Sequence, residues 1–133
     1  FSTNARPMEE LRPICTAQDI LALQRAVGTV YASREVRAYV AMIAAASRKY
    51  SGMQLGVSTR AAISLLRAAQ ARSMLAGRDY VIPEDVQQMA QPVLAHRLIL
   101  TPEAEIRGVS PADVITRVLT GTPVPRASSR LVG

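Results

Sequence analysis

Apolar residues recur at helical intervals through most of the chain. After Thr16, whose hydroxyl can cap a first turn with Asp19 three residues on, Ile20, Leu23, Ala26 and Val27 fall on one face, and Gly28 can end the helix. The short extended stretch Thr29-Val30-Tyr31 leads to Ser33, the cap of a second helix whose stripe is Val36, Tyr39, Val40 and Ile43, ending around Arg48. Lys49 to Val57, with Gly52 and Gly56, reads as a loop. Ser58 then caps a long helix to about Ala76, with Ala62, Leu65, Leu66, Ala69 and Leu75 toward the core and Gly77 at the C-cap. Arg60, Ser64 and Arg67 form a polar stripe along its other side.

Beyond the strand-like link Tyr80-Val81-Ile82, Pro83 suits the first position of a fourth helix. Glu84 and Asp85 complement its positive end, and Val86, Met89, Ala90, Val93 and Leu94 supply its buried face. Pro92 is expected to kink or divide it. Leu98-Ile99-Leu100 suggests a strand pairing locally, followed by the acidic stretch 102–105. Ser110-Pro111-Ala112-Asp113 opens a fifth helix with Val114, Ile115, Val118 and Leu119 inward. Residues 1–15, with Pro7 and Pro13, read as a linker from a missing upstream module, 16–120 as one helical domain, and 121–133 as a tail.

Composition agrees with this pattern. Of 133 residues, 49% are hydrophobic but only 4% aromatic and none is Trp, so aliphatic side chains must build the core, which suits packed helices better than a sheet. The expected fold is mostly α, a small bundle of about five helices with at most short strand segments. Ala38 to Ser47, the longest nearly uncharged run, is about half of the roughly 20 apolar residues that cross a bilayer, so no membrane span is expected. Cys15 is the lone cysteine, which precludes an internal disulfide and fits a reducing compartment, with cytoplasm the expected location. It reads as a small buried or half-buried hydrophobe. No initiating Met opens the chain, so a piece of a longer protein is expected.

A formal charge of +6, carried by arginines and the single Lys49, favours anionic partners without choosing among them. Nucleotide hydrolysis within the chain would need a phosphate cradle, Gly-x-x-x-x-Gly-Lys-Ser/Thr, and a magnesium-holding carboxylate at a strand end; Lys49 follows no such turn. Cys15 and His96 form no recognisable triad with a third group, so a self-contained enzyme is not expected, and His96 reads as structural. Arg60 is the residue that resists a bland reading. It falls in the first turn after Ser58, where the helix dipole disfavours a cation by roughly 0.3–1 kcal/mol, and a bound anion would reverse that sign. Spacing alone leaves two readings open: a solvated or acid-paired arginine, or half of a phosphate site built on 56–60.

These residues also carry a family resemblance. Gly56-Val57-Ser58-Thr59-Arg60-Ala61-Ala62, Leu65-Leu66-Arg67-Ala68-Ala69-Gln70-Ala71, the run Gly77-Arg78-Asp79-Tyr80-Val81-Ile82-Pro83-Glu84-Asp85-Val86 and Pro92-Val93-Leu94-Ala95-His96-Arg97-Leu98 resemble the C-terminal lid of MoxR-family AAA+ ATPases. The likeness covers roughly Leu11 to Leu119 in matching order. It implies a helical lid over a nucleotide-binding core, with a sensor 2 arginine that reaches the nucleotide's phosphates. By motif position that arginine is Arg60, with Ser58 and Thr59 in the same nucleotide-binding segment. Arg67, about 10 Å further along the face, is too distant for the same phosphate group and is implied to contact the core domain or a neighbouring subunit. Where the family often has proline and a threonine cap, this chain has Thr59 and Ile82, which leaves the start of the fourth helix without a side-chain cap.

For the parent protein the resemblance implies ATP and magnesium as cofactors and its own upstream core and neighbouring subunits as partners, in rings that are hexameric in related ATPases. It further implies protein clients, with chaperone-like remodelling or metal-cofactor insertion as the task. The isolated piece is expected to bind no cofactor or metal and to hydrolyse nothing. Two other classes compete. A small basic nucleic-acid-binding module is the weaker, since the arginines do not converge on a recognition helix and no aromatics interleave with them. A protein-interaction bundle could use Met42, Met53, Met74 and Met89, although methionines at helical spacing more often fill a core.

Overall fold

The computed structural model describes residues 11–126. Its elements run α1 (Ala17–Val27), α2 (Arg34–Lys49), β1 (Met53–Leu55), α3 (Thr59–Leu75), α4 (Pro83–Leu94), a 3-10 turn (Ala95–Arg97), β2 (Ile99–Leu100), α5 (Pro102–Ile106) and α6 (Pro111–Gly121). Each predicted helix starts one residue after its predicted cap. Thr16, Ser33, Ser58 and Ser110 all place a side-chain oxygen on the backbone N–H three residues on, satisfying a donor that the helix cannot.

The core lies between α2, α3, α4 and α6. Tyr39 and Ile43 meet Leu65, Val86, Leu94, Val114 and Ile115, all essentially inaccessible to water. Ala61, Leu65, Ala69 and Ser73 repeat every fourth residue down the buried face of α3, and these mostly small side chains allow the close α3–α4 packing that is the most extensive in the fold. Two hydrogen bonds tie polar side chains across the core: the Tyr39 hydroxyl accepts from Gln87 Nε2 at 3.1 Å, and Gln70 Nε2 donates to the Val30 carbonyl at 2.7 Å. Met53, Met74 and Met89 pack against this cluster, whereas Met42 is exposed.

Several expectations are corrected. The described residues hold six α-helices rather than five, because Thr101-Pro102 opens α5 with the same cap-then-proline chemistry as Ser110-Pro111. The predicted loop contains β1, and Leu98-Ile99-Leu100 pairs with it rather than locally: β2 lies antiparallel to β1, with Met53 opposite Leu100 and Leu55 opposite Ile99. Pro92 does not divide α4, which runs as one α-helix from Pro83 to Leu94. It sits in the last turn, where its missing N–H forfeits one bond, and the chain tightens into the 3-10 turn only after Leu94. Leu75 is 82% exposed, since it lies in the last turn of α3 beyond the reach of α4's buried face. Cys15 is exposed, and no residue of α1 is buried. Gly121 closes α6 and Thr122 is buried, its hydroxyl donating to the Val118 carbonyl, so the start of the predicted tail belongs to the packed fold.

The cap of α6 is a full reciprocal box. Ser110 Oγ accepts from the Asp113 N–H at 3.2 Å, while the Asp113 carboxylate accepts from the Ser110 N–H at 2.9 Å. Ser110→Ala is expected to lower stability by about 1 kcal/mol. A urea titration checks it, with the midpoint falling and the slope unchanged.

Candidate functional site

The start of α3 is fixed from outside before any ligand is considered. Gly56 lies so close to α2 that a Cβ there would stand 2.7 Å from Arg48 Cα and 2.8 Å from its N and Cγ. Only glycine lets the two segments touch. The contact is then latched by polar bonds: Ser47 Oγ accepts from the Val57 N–H at 2.9 Å, and Arg48 Nη1 donates to the Val57 carbonyl at 2.9 Å. Ser47 in turn donates to the Ala44 carbonyl, so its buried hydroxyl is fully used. Val57 is buried, and the chain leaves it into Ser58, whose Oγ caps the helix at the Ala61 N–H.

Arg60 therefore projects from a rigid first turn. It is exposed, as are Ser58, Thr59 and Arg67. Among the described residues no carboxylate lies within ion-pair distance of Arg60 or Arg67, the two ion pairs both being made to Asp85. Of the two readings left open for Arg60, acid pairing within this part of the chain is thus removed. Ser58, Thr59 and Arg60 are contiguous around the helix start, while Arg67 sits two turns along the same helix. Two grooves of about 680 Å³ lie elsewhere, one beside the end of α6 at Thr120 and Val124 and one between α3 and α4 at Ala68 and Met89. Arg60 lines neither, and stands on open surface.

The far end of α3 carries a second charged feature that spacing did not disclose. Arg78 reaches back with both guanidinium nitrogens to the buried Asp85 carboxylate, at 2.8 and 2.7 Å, and also donates to the Tyr80 carbonyl. Asp85 Oδ2 accepts the Ile82 N–H at 3.0 Å, which supplies the cap that Ile82 itself lacks and starts α4 at Pro83. Ser73 donates to the Tyr80 carbonyl, closing the link to α3. Burial pushes the Asp85 carboxyl up, but bonds from Arg78 and the Ile82 N–H outweigh it and hold the group below the ordinary carboxylate value. Arg78 is raised in turn, mainly by its bond to Asp85.

Sequence reasoning also missed Arg97. The 3-10 turn after α4 delivers it to α3, where its Nη1 lies 3.4 Å from Ser64 Oγ, and its Nε donates to His96 Nε2 at 3.3 Å. Its place in the run 92–98 was visible, but its position one turn beyond Arg60 depends on how α4 folds back. Among the described residues no group of His, Cys, Asp and Glu is arranged to hold a metal, and no helix is long and apolar enough to cross a membrane.

A helical bundle tied by one two-stranded ribbon, with an exposed arginine at the head of its central helix, defines a lid-type domain. Residues 45–118 match the AAA lid domain family, and the chain belongs to it. Its similarity runs specifically to MoxR-like proteins. It is 33% identical over 129 residues to the chaperone MoxR1 of Mycobacterium tuberculosis, covering 90% of this chain and 34% of that protein. With the uncharacterized protein YeaC of Bacillus subtilis it shares 38% identity over 121 residues, 91% of this chain and 38% of the relative. The crystal structure of a presumed ATPase from Cytophaga hutchinsonii superposes with a TM-score of 0.76 at 31% identity, over 82% of this chain and 36% of that one. The chain thus spans a little over a third of the length of these relatives.

Proposed function

We propose that this lid closes over ATP and magnesium held by a nucleotide-binding core elsewhere in a longer protein, and that Arg60 is its sensor 2 arginine. The carrying observation is the placement of Arg60: exposed, without an acid partner among the described residues, and projecting from a helix start latched through Gly56, Val57, Ser47 and Arg48. A guanidinium held in this way can fork onto phosphate oxygens with little further ordering, and the free N–H groups of the first turn, at Thr59 and Arg60, favour the same anion. The exposed apolar side chains of α1, Ile20, Leu21 and Leu23, supply a surface for the core to cover. Arg67 contacts that core or a neighbouring subunit.

In this reading hydrolysis removes an anionic contact from Arg60, and the lid shifts relative to the core. A cytoplasmic ring of such subunits, a hexamer, passes the shift to a protein client, as a chaperone-like remodeller or a metal-cofactor inserter. The name of the Mycobacterium tuberculosis relative, a chaperone, supports the first task. The test is ATP binding and turnover by the full-length protein with Arg60→Ala. Loss of affinity or turnover by about tenfold or more is expected, with melting unchanged. Unaltered binding and turnover would remove Arg60 from the site.

A further inference from the structure

We propose that Arg97 is a second phosphate-binding arginine, acting with Arg60 on one polyphosphate; this rests on the reading of Arg60 above. The two residues are distant in sequence and come from different elements, α3 and the 3-10 turn behind α4. Ser64 joins them. It lies one turn beyond Arg60 on the same face, its hydroxyl donates to the Arg60 carbonyl at 3.0 Å, and Arg97 Nη1 lies 3.4 Å from that hydroxyl. The Arg97 guanidinium is thereby held about 6 Å along the axis from the point where Arg60 leaves the helix.

No described acid neutralises either group. Arg97 is exposed, its protein contacts are the Ser64 hydroxyl and the His96 ring nitrogen, and among the described residues neither it nor Arg60 has a carboxylate within ion-pair distance. Arg67, further along the same face, is likewise exposed without a carboxylate partner, whereas Arg48 and Arg78 are committed to the fold. Arg78 has both guanidinium nitrogens on Asp85, and Arg48 donates to the Val57 carbonyl. Two like charges brought onto one helix face repel unless an anion touches both. A nucleoside polyphosphate offers consecutive anionic groups over such a span, and a guanidinium fork on each end grips them with paired bonds. Arg60 and Arg97 therefore read as two points of one grip, with Ser64 setting the distance between them.

The experiment uses the full-length protein with Arg97→Ala, Arg97→Lys, Arg60→Ala and the Arg60→Ala/Arg97→Ala pair, reading ATP and ADP dissociation constants, turnover, ring assembly and melting temperature. Arg97→Ala is expected to weaken ATP binding or slow turnover about tenfold with melting unchanged. Lysine should recover part of the loss, because it keeps the charge and loses the fork. The double variant should lose less than the product of the single effects, as residues sharing one ligand do. Unchanged ATP constants and unchanged turnover in Arg97→Ala, including a variant altered only in melting or ring assembly, would overturn the proposal and make Arg97 a structural or subunit contact. A loss confined to Arg60→Ala sinks this proposal and spares the reading of Arg60; a loss confined to Arg97→Ala sinks that reading and the pairing with it.

Discussion

Arg78→Met is expected to destabilise the domain markedly, because it leaves the buried Asp85 carboxylate without its bidentate partner. Arg72, 3.7 Å away and partly exposed, is too poorly placed to replace it. The junction between α3 and α4 should fail first, since the same carboxylate caps the Ile82 N–H and the same guanidinium holds the Tyr80 carbonyl. Chemical denaturation of wild type and variant checks the magnitude. Arg78→Met combined with Asp85→Leu should regain part of the loss, the remainder reflecting the missing cap. Dependence on pH gives an independent handle. The Asp85 carboxyl is held below its ordinary value of 3.8 in the folded chain, so its stabilising contribution is whole above that value and disappears as pH falls through the lower, folded one. Asp85→Asn should therefore be less stable than wild type at neutral pH and show a smaller further loss on acidification below about 4. A parallel acid limb in the two proteins would contradict the assignment.

The second large effect is expected at Gly56. Alanine there would place a carbon 2.7 Å from Arg48 Cα, a backbone atom that cannot rotate aside, so one segment must move. Overpacking of this kind costs about 1–3 kcal/mol. Movement also strains the two bonds on Val57, from Ser47 and Arg48, which lie immediately before the Ser58 cap. Gly56→Ala should accordingly lose stability and, in the full-length protein, ATP affinity together, although Gly56 itself has no group to offer a phosphate. Measuring both in the same preparation is decisive: a stability loss with unaltered nucleotide binding would mean that the latch does not position Arg60.

Local chemistry was the legible part of this sequence. A hydroxyl three residues before its N–H partner is a short-range signal, so the starts of α1, α2, α3 and α6 could be read at Thr16, Ser33, Ser58 and Ser110, and the apolar stripes of α2, α3, α4 and α6 together gave most of the core. The stripe of α1 marked a helix but not its burial, because periodicity says which residues share a face and not what that face meets. Long-range pairing was hidden. Nothing in Met53-Gln54-Leu55 identifies Ile99-Leu100 as its partner, and the Arg78–Asp85 bond spans a loop whose path no helical spacing describes. The same holds for the candidate site. Arg60 was visible because a cation in a first turn conflicts with the local dipole, whereas Arg97 reaches α3 only through the turn after α4.

The ribbon of β1 and β2 has a mechanical consequence. It fastens the segment entering α3 to the segment leaving α4, so both ends of that helical pair are tied, one by strands and one by Arg78 and Asp85. A pull exerted on the head of α3 then cannot be dissipated by letting the helices slide, and must swing the bundle as a stiff lever arm. Small displacements at the head of α3 would arrive magnified at the opposite end of the pair, around Arg78 and Asp85.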